Sequence, residues 1–118
     1  MLNGWASRPV YLACGATDLR KSIDGLAAIV QLTFQLDPCS AALFVFCNRG
    51  RTKLKILEWD TNGFWLHYKR LEQGHFPWPA AGASGPRPIA ARQLQWLLDG
   101  LAWEAPPAHR PLRGRRVV

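Results

Sequence analysis

The sequence predicts an α+β fold in a single domain, with an antiparallel β-meander of about four strands and two helices packed on one face. Apolar runs rich in β-branched and aromatic residues follow one another over 43–71, separated only by short polar turns. Because each turn is far too short for a parallel crossover, these strands must pair antiparallel. Apolar residues at helical spacing before and after the meander predict the two helices.

The first strand is predicted at 10–14 and the first helix at 18–34. Thr17 stands at the position of a helix N-cap, and the acidic Asp18 that follows complements the positive end of the helix dipole. Apolar residues then recur at helical spacing, while charged residues fall on the opposite face. The Asp-Pro pair at 37–38 ends the helix and begins the connection to the meander.

The meander contains three strands and two turns. The strands are predicted at 43–47, 53–59 and 64–71. The second turn includes Asn62-Gly63, which is a strong hairpin signal because both residues tolerate positive φ angles. A two-residue loop there would place Trp59 opposite Leu66, whereas a loop one residue longer would pair Trp59 with Trp65. The sequence leaves both registers open.

The second strand of the meander has two different faces, because side chains alternate along a strand. Lys53 and Lys55 share one face, and Leu54 and Ile56 share the other. One side of the hairpin is therefore predicted to be buried, and the other to be basic near Lys53.

After the meander, the chain is predicted to form an extended segment, a loop and a second helix. Proline cannot donate to a β-ladder, so Phe-Pro-Trp-Pro at 76–79 fits only an edge strand or an extended segment. The small, Pro- and Gly-rich residues at 80–88 indicate a loop. Three leucines at helical spacing predict the second helix at 89–99, with Gly100 as its C-terminal stop.

Length and composition indicate one folded domain. The chain has 118 residues, of which 48% are hydrophobic and 19% charged, and it is long enough for a single core. We expect this domain at 1–105 and a Pro/Arg-rich tail at 106–118. No apolar run approaches the roughly 20 residues that span a bilayer, and the N-terminus lacks the pattern of a secretory signal. A cytoplasmic protein without membrane contact is therefore expected.

The net charge of +7 is distributed unevenly along the chain. Residues 1–37 carry three basic and three acidic side chains, residues 38–75 carry six and three, and residues 76–118 carry six and two. Clustered Lys and Arg are typical of a polyanion binder, although they also fit an ordinary solvated face. The predicted phosphate contacts are Arg49, Arg51, Lys53, Lys55, Lys69 and Arg70.

The three cysteines, Cys14, Cys39 and Cys47, are odd in number and lack CxxC spacing. This pattern favours reduced thiols over a disulfide framework or a zinc site. The three histidines are too scattered along the chain to complete a ligand set. Neither a metal nor a cofactor is expected.

The residues give little support for catalysis. The chain lacks a Gly-rich phosphate loop, a GxSxG nucleophile motif and an HExxH zinc motif. Glu58, Asp60 and a hairpin lysine loosely resemble a metal-dependent nuclease triad. However, Asp60 is a common type of turn residue, and Glu58 can pair with Lys69 or His67 across the strands. A non-enzymatic protein is predicted.

Six tryptophans are many for a chain of this length. Those interleaved with basic residues on a sheet are compatible with stacking on unpaired bases. Large aromatic residues in a small domain also serve as its core or as a protein-binding patch. The candidates for a partner-binding patch are Trp59, Trp65 and Trp78.

Three segments together carry a family resemblance. They are ACGATDLRKSIDGLAAIV at 13–30, the meander with its following residues at 43–79, and LQWLLDGLAW with the later PLR at 94–113. In this order they resemble the TnpB family, the small accessory proteins encoded second in bacterial insertion sequences of family sixty-six. The resemblance covers nearly the whole chain. This family is distinct from the RNA-guided nucleases that share the name.

The resemblance implies a role in transposition and two partners. Family members are encoded with another small protein and with a larger DDE-type transposase, which carries the strand-transfer chemistry. The usual family motif positions in the first helix region include Asp18, Arg20 and Lys21, and none is an established catalytic residue of the family. Glu58 departs from the pattern, because the family usually has Tyr or another uncharged residue there.

Two functional hypotheses follow. In the first, the protein is a non-enzymatic accessory factor that binds DNA through the basic face of its β-hairpin, with the element ends as one candidate target. In the second, it is an adaptor that docks the DDE-type transposase through the aromatic patch around the three candidate tryptophans. Binding that survives loss of the basic residues but not of the tryptophans would favour the adaptor.

Overall fold

The computed structural model describes residues 2–82 and 85–104, which form one domain built on a five-stranded mixed sheet. In chain order the strands are β1 (Val10–Leu12), β2 (Leu43–Cys47), β3 (Lys53–Asp60), β4 (Gly63–Arg70) and β5 (Arg87–Ile89). The helices are α1 (Ile23–Ala28), which continues as a π-helical segment at Ile29–Thr33, and α2 (Ala91–Leu98). A 3₁₀ turn at Leu2–Trp5 precedes β1. The α+β class is therefore confirmed.

The strand order is β4-β3-β2-β1-β5, and β2, β3 and β4 form the predicted antiparallel meander. The prediction of an antiparallel sheet is wrong for β1, which pairs parallel to β2. The connection from β1 to β2 contains α1 and is long enough for the crossover that a parallel pair requires.

The register of the second hairpin differs from both expected registers. Trp59 pairs with Phe64, because the two turn residues are Thr61 and Asn62 and Gly63 already belongs to β4. Thr61 itself adopts the left-handed conformation, with a φ of 54°. The observed pairing is shifted by two residues from the two-residue-loop register. A shift of two keeps every side chain on the face that this register assigns.

The two helices lie on opposite faces of the sheet, so the prediction that both pack on one face is wrong. On one face, Leu26 of α1 packs with Phe44 and Phe46 of β2. On the other, Leu94 and Leu97 of α2 join a core that includes alternate residues of β1, β2 and β3. All five residues of β2 are buried, as expected for a strand covered on both sides.

The first helix begins later than predicted. Residues 18–21 form a turn, closed by a hydrogen bond from the Lys21 backbone N–H to the Asp18 carbonyl, and the Asp18 carboxylate accepts a hydrogen bond from the Arg20 backbone N–H. Ser22, rather than Thr17, precedes the first helical residue. Asp favours such local turns because its short side-chain acceptor competes with the helix for backbone donors.

Near the C-terminus, β5 includes the last two residues of the segment 80–88, predicted to be a loop, and the first residue of the helix predicted at 89–99, so α2 begins later than expected. β5 forms an edge of the sheet, where Pro88 is tolerated because an edge strand need not donate on both sides. The segment 76–79 lies outside the sheet and the helices, and its Phe76 is fully buried. Gly100 follows α2 with a φ of 80°, which confirms it as the helix stop.

The predicted tail at 106–118 lies outside the described residues. Among the helices that are described, none is long and apolar enough to cross a membrane.

Candidate nucleic-acid interface

A groove of about 560 Å³ lies between the turn that precedes α1 and the exposed face of the β3–β4 hairpin. We call it the basic groove, and it is lined by Asp18, Leu19, Arg20, Asn48, Lys53, Lys55, Leu66 and Tyr68. An adjoining recess of about 350 Å³ extends it past Arg49 and Gly50 in the turn between β2 and β3. The two share Asp18, Leu19 and Asn48, so they form one continuous depression.

Lys55 fixes one wall of the basic groove to its floor. Its Nζ donates hydrogen bonds to the backbone carbonyls of Leu19, at 2.7 Å, and Lys21, at 3.0 Å. The same Nζ lies 5.9 Å from the centre of the Tyr68 ring, within the range of a cation–π contact. Carbonyl oxygens orient the ammonium without cancelling its charge, so Lys55 combines a structural role with a positive potential.

The turn between β2 and β3 is organised by Asn48. The Asn48 Oδ1 accepts hydrogen bonds from the backbone N–H groups of Thr52, at 2.9 Å, and Lys53, at 3.0 Å. Arg51 takes the left-handed conformation in this turn, with a φ of 59°. Asn48 suits the start of this turn because its short side-chain amide bonds to nearby backbone groups. The turn holds Arg49 exposed beside the adjoining recess.

Asp18 is the acidic residue that lines the basic groove. Its carboxylate accepts from the Arg20 guanidinium, with Oδ2 2.8 Å from Nη2 and Oδ1 3.0 Å from Nε. The hydrogen bonds from the Arg20 side chain and backbone hold the pKa of Asp18 well below its usual range. The carboxylate is therefore ionised at neutral pH.

The structure brings four of the six predicted phosphate contacts to one end of the hairpin. Lys53 and Lys55 line the basic groove, Arg49 borders the recess, and Arg70 pairs directly opposite Lys53. All except Lys55 are exposed. Arg70 also contacts Glu72, whose carboxylate lies 2.9 Å away in an exposed ion pair. Exposed pairs of this kind are screened by water and salt and contribute little to stability.

The other two predicted contacts lie elsewhere. Arg51 is exposed on the turn but does not line the groove. Lys69 lies on the opposite face of the hairpin, and its Nζ donates to the carbonyl of Leu98, at 2.7 Å. Lys69 thus satisfies one of the free carbonyls at the C-terminal end of α2, where a positive charge is also favourable.

The three candidate tryptophans occupy separate surfaces. Trp59 packs edge-to-face on Phe64 on the side of the sheet that carries α1. Trp65 lies on the other face and is 58% exposed, with its Nε1 3.1 Å from the Asp60 carboxylate. Trp78 is half-buried, and its Nε1 donates to the carbonyls of Ala13 and Gly15. They do not form one patch.

Sequence reasoning missed Tyr68 and underestimated Arg20 as site residues. Tyr68 is 56% exposed and pairs directly with Lys55, so its side chain shares the basic face of the hairpin. The signal was the alternation along the two strands, which puts Tyr68 on the same face as Lys53 and Lys55 in every register with a two-residue loop. Arg20 was assigned to a helix, whereas it belongs to the turn that forms the groove wall.

Glu58, one of the two candidate nuclease carboxylates, is engaged in an ionic network. Its carboxylate accepts from Arg8 Nη1 at 2.6 Å and Trp5 Nε1 at 3.1 Å, and it lies 2.8 Å from His67 Nε2. Burial alone would raise the pKa of Glu58, but the bonds from His67 and Trp5 and the charge of Arg8 outweigh it. The pKa of Glu58 is therefore below its ordinary value. This arrangement matches the predicted cross-strand pairing with His67.

Within the described residues, no group of three or more His, Cys, Asp or Glu is placed to hold a metal ion. The cysteines there are free. Burial raises the pKa of the Cys47 thiol to about 11, which keeps it protonated and inert at neutral pH.

Comparison with known proteins gives a family but no solved relative. Residues 8–108 match the family model described as "IS66 Orf2 like protein". The uncharacterized protein y4hO of Sinorhizobium fredii (strain NBRC 101917 / NGR234) is 40% identical over 97 residues, which cover 82% of this chain and 84% of that protein. The uncharacterized protein y4jC of the same strain is 29% identical over 107 residues, covering 88% and 91%. No solved structure matches significantly.

The family match spans the sheet, both helices and the whole basic groove, so it concerns the folded domain rather than one motif. The chain belongs to the IS66 Orf2-like family of accessory proteins in transposition.

Proposed function

We propose that the protein binds nucleic acid during transposition, through phosphate contacts made by the cations of the basic groove. The observation that carries the proposal is the position of Arg49, Lys53 and Lys55 around one depression. None of the three forms an ion pair within the described residues. A set of unneutralised cations beside a concave surface concentrates the positive potential that attracts a phosphate backbone.

Each phosphate that the protein neutralises releases a condensed counterion. The logarithm of the binding constant on duplex DNA therefore falls by about 0.9 per phosphate contact for each unit rise in the logarithm of salt concentration. Arg49 and Lys53 are exposed and have side chains free to reach phosphates. Lys55 is held by two carbonyls, so we expect it to contribute mainly through its electrostatic potential.

The test is a salt titration of labelled DNA that carries the terminal inverted repeat of the element, with a scrambled sequence of equal composition. Each is offered as a duplex and as separated strands. The double variant Arg49→Ala/Lys53→Ala is compared with Arg87→Ala/Arg92→Ala, which removes the same charge from exposed residues on the side of α2. Both variants lower the net charge equally but at different positions, and because Arg87 and Arg92 lie over the Trp103 and Trp96 rings, circular dichroism checks that the control variant keeps its fold.

We expect the groove variant to reduce the magnitude of the salt slope by about 1.8 on the duplex and by about 1.4 on the separated strands, and the control variant to leave it nearly unchanged. Tighter binding to the repeat than to the scramble would identify an end-recognition factor. Equal slopes for the two double variants, or binding that ignores salt, would contradict phosphate contact through the groove.

The predicted tail at 106–118 contains several arginines. As part of the same proposal, we expect it to add attraction that does not depend on sequence. Deleting the tail should weaken binding to the repeat and to the scramble by the same factor. A loss confined to the repeat would contradict this role.

An adaptor function is the second candidate, and one observation favours it. Trp65 is a large aromatic residue with 58% of its surface exposed, and Asp60 holds its ring in place. Rigid exposed tryptophans are common anchors of protein interfaces. In a pull-down with the DDE-type transposase, this function predicts that Trp65→Ala abolishes capture while Arg49→Ala/Lys53→Ala does not. The opposite result would favour nucleic-acid bridging.

A further inference from the structure

We propose that the basic groove takes a single-stranded nucleic acid, with an unpaired base stacked on Tyr68. The inference rests on the proposed nucleic-acid binding and adds the form of nucleic acid that the groove fits. Three features of the site carry it: its concave shape, an exposed aromatic ring, and a carboxylate among the cations.

The shape favours a flexible strand over a duplex. The groove of about 560 Å³ and the recess of about 350 Å³ each fall within the size range of sites that enclose small molecules, about 300–1,000 Å³. A duplex presents its phosphates on a convex exterior and keeps its base faces inside the stack. It would therefore contact only the rim. A single strand can turn one nucleotide into the groove while its neighbouring phosphates follow the rim.

Tyr68 supplies a surface for stacking. Its side chain lies on the groove side of β4, and more than half of the residue is exposed, so the core gains little from it. Lys55 approaches this ring, and Lys53 lies one pleat further along the same face. An exposed ring flanked by cations is the combination by which single-strand binders hold a base and its phosphates, without the need to read its sequence.

The carboxylate of Asp18 gives the third argument. A site for phosphates alone would be weakened by an ionised acid at its centre, because the two negative charges repel. Unpaired bases, however, expose N–H donors on their Watson–Crick edges, and carboxylates accept hydrogen bonds from such donors. The Asp18 oxygens are partly exposed and keep free lone pairs beside those used by Arg20. The mixture of charges therefore fits a nucleotide with an accessible base edge.

The first experiment measures fluorescence anisotropy of a labelled strand of about 16 nucleotides and of the duplex with the same sequence. The full chain is compared with Tyr68→Ala, Tyr68→Phe and the distant control Arg92→Ala. We expect tighter binding of the single strand, and a loss of about 5- to 150-fold in Tyr68→Ala, equivalent to about 1–3 kcal/mol. Tyr68→Phe keeps the ring and should bind nearly as the wild type does.

The second experiment repeats the single-strand measurement with Asp18→Asn, which keeps the shape of the side chain but removes its charge. If the groove contacts only phosphates, the loss of a repelling charge raises affinity. If the carboxylate accepts a hydrogen bond from a base, affinity falls by up to about fivefold, because the uncharged amide oxygen of Asn is a weaker acceptor. A rise would overturn the base contact.

The outcomes separate this inference from the function on which it rests. Binding of the duplex as tightly as the single strand, or an unchanged single-strand affinity in Tyr68→Ala, overturns the inference but leaves phosphate binding standing. Failure of both forms to bind at low salt removes the proposed function itself. Circular dichroism of each variant checks that the fold is intact. Because Tyr68 is exposed, we expect Tyr68→Ala to preserve the fold.

Discussion

The substitution Glu58→Gln should destabilise the fold strongly, because one carboxylate joins β3 to the N-terminal segment and to β4. Arg8, Trp5 and His67 all contact it, and the Arg8 and Glu58 side chains are only 19% and 12% exposed. The amide of Gln has the same shape, but it lacks the negative charge and has a single oxygen to accept hydrogen bonds. The half-buried Arg8 guanidinium would therefore lose its charged partner.

The magnitude follows from the burial of the pair. Breaking a fully buried ion pair costs about 3–5 kcal/mol, and a single hydrogen bond to a charged group contributes about 1.5–3 kcal/mol. Residual exposure lets water screen part of this loss, so we expect the free energy of unfolding to fall by about 2–3 kcal/mol. With a urea dependence of about 1–3 kcal/mol per molar, the midpoint should drop by about 1 M or more.

The assay is urea unfolding followed by circular dichroism, with Glu72→Gln as the matched control. Glu72 also contacts an arginine, but the Arg70 and Glu72 side chains are 59% and 74% exposed. We expect the control midpoint to remain that of the wild type. Equal shifts in the two variants would refute the reasoning that burial of the Glu58 network determines its contribution.

The same network predicts a pH dependence. The folded pKa of Glu58 lies below its unfolded value, so its stabilising contribution is complete above the unfolded pKa and is lost as the pH falls through the folded pKa. The difference in stability between wild type and Glu58→Gln should therefore shrink on acidification from about pH 7 to about pH 3. A difference that stays constant over this range would contradict the ionic account.

Three further predictions concern other parts of the fold. Lys55→Ala should lower the urea midpoint, because it removes both hydrogen bonds that hold the groove wall. Lys53→Ala, on the same face but exposed, should leave the midpoint unchanged. Similar midpoints for the two variants would show that Lys55 does not hold the wall. In the native protein a thiol reagent should modify the exposed Cys39 quickly and the buried Cys47 only on unfolding, and equal rates would contradict the burial of Cys47. Gly100→Ala should lower the free energy of unfolding by about 1 kcal/mol, because φ is 80° at this position. Thermal unfolding measures the effect, and an unchanged midpoint would show that the position tolerates a side chain.

Much of the sheet could be predicted because its signals are local. The apolar runs and short turns of the meander determine which strands are neighbours and that they run antiparallel. Which residues of one strand share a face was also predictable from alternation. The register was not, since Thr61, an uncommon residue for the left-handed conformation, occupies the turn position that Asn62-Gly63 favoured.

The arrangement of the helices depended on non-local packing that the sequence signals only weakly. The uninterrupted apolar run of β2, from Leu43 to Cys47, was the available sign that both faces of the sheet are covered. Within the site, Lys69 and Lys53 lie on opposite faces of the hairpin. Lys53 pairs with Arg70, and Lys69, the next residue along β4, therefore points to the other face. That Lys55 would bond to the carbonyls of Leu19 and Lys21 could not be inferred, since those residues were assigned to a regular helix.

The parallel placement of β1 between β2 and β5 has a consequence for the order of folding. The β2–β3–β4 meander closes through short loops, whereas β1 pairs with β2 only across the long connection that contains α1. Closing this longer loop has a higher entropic cost. The wall of the basic groove belongs to that connection. We therefore expect the β3–β4 hairpin and its cations to become ordered first, and the basic groove to be completed in one of the last steps of folding.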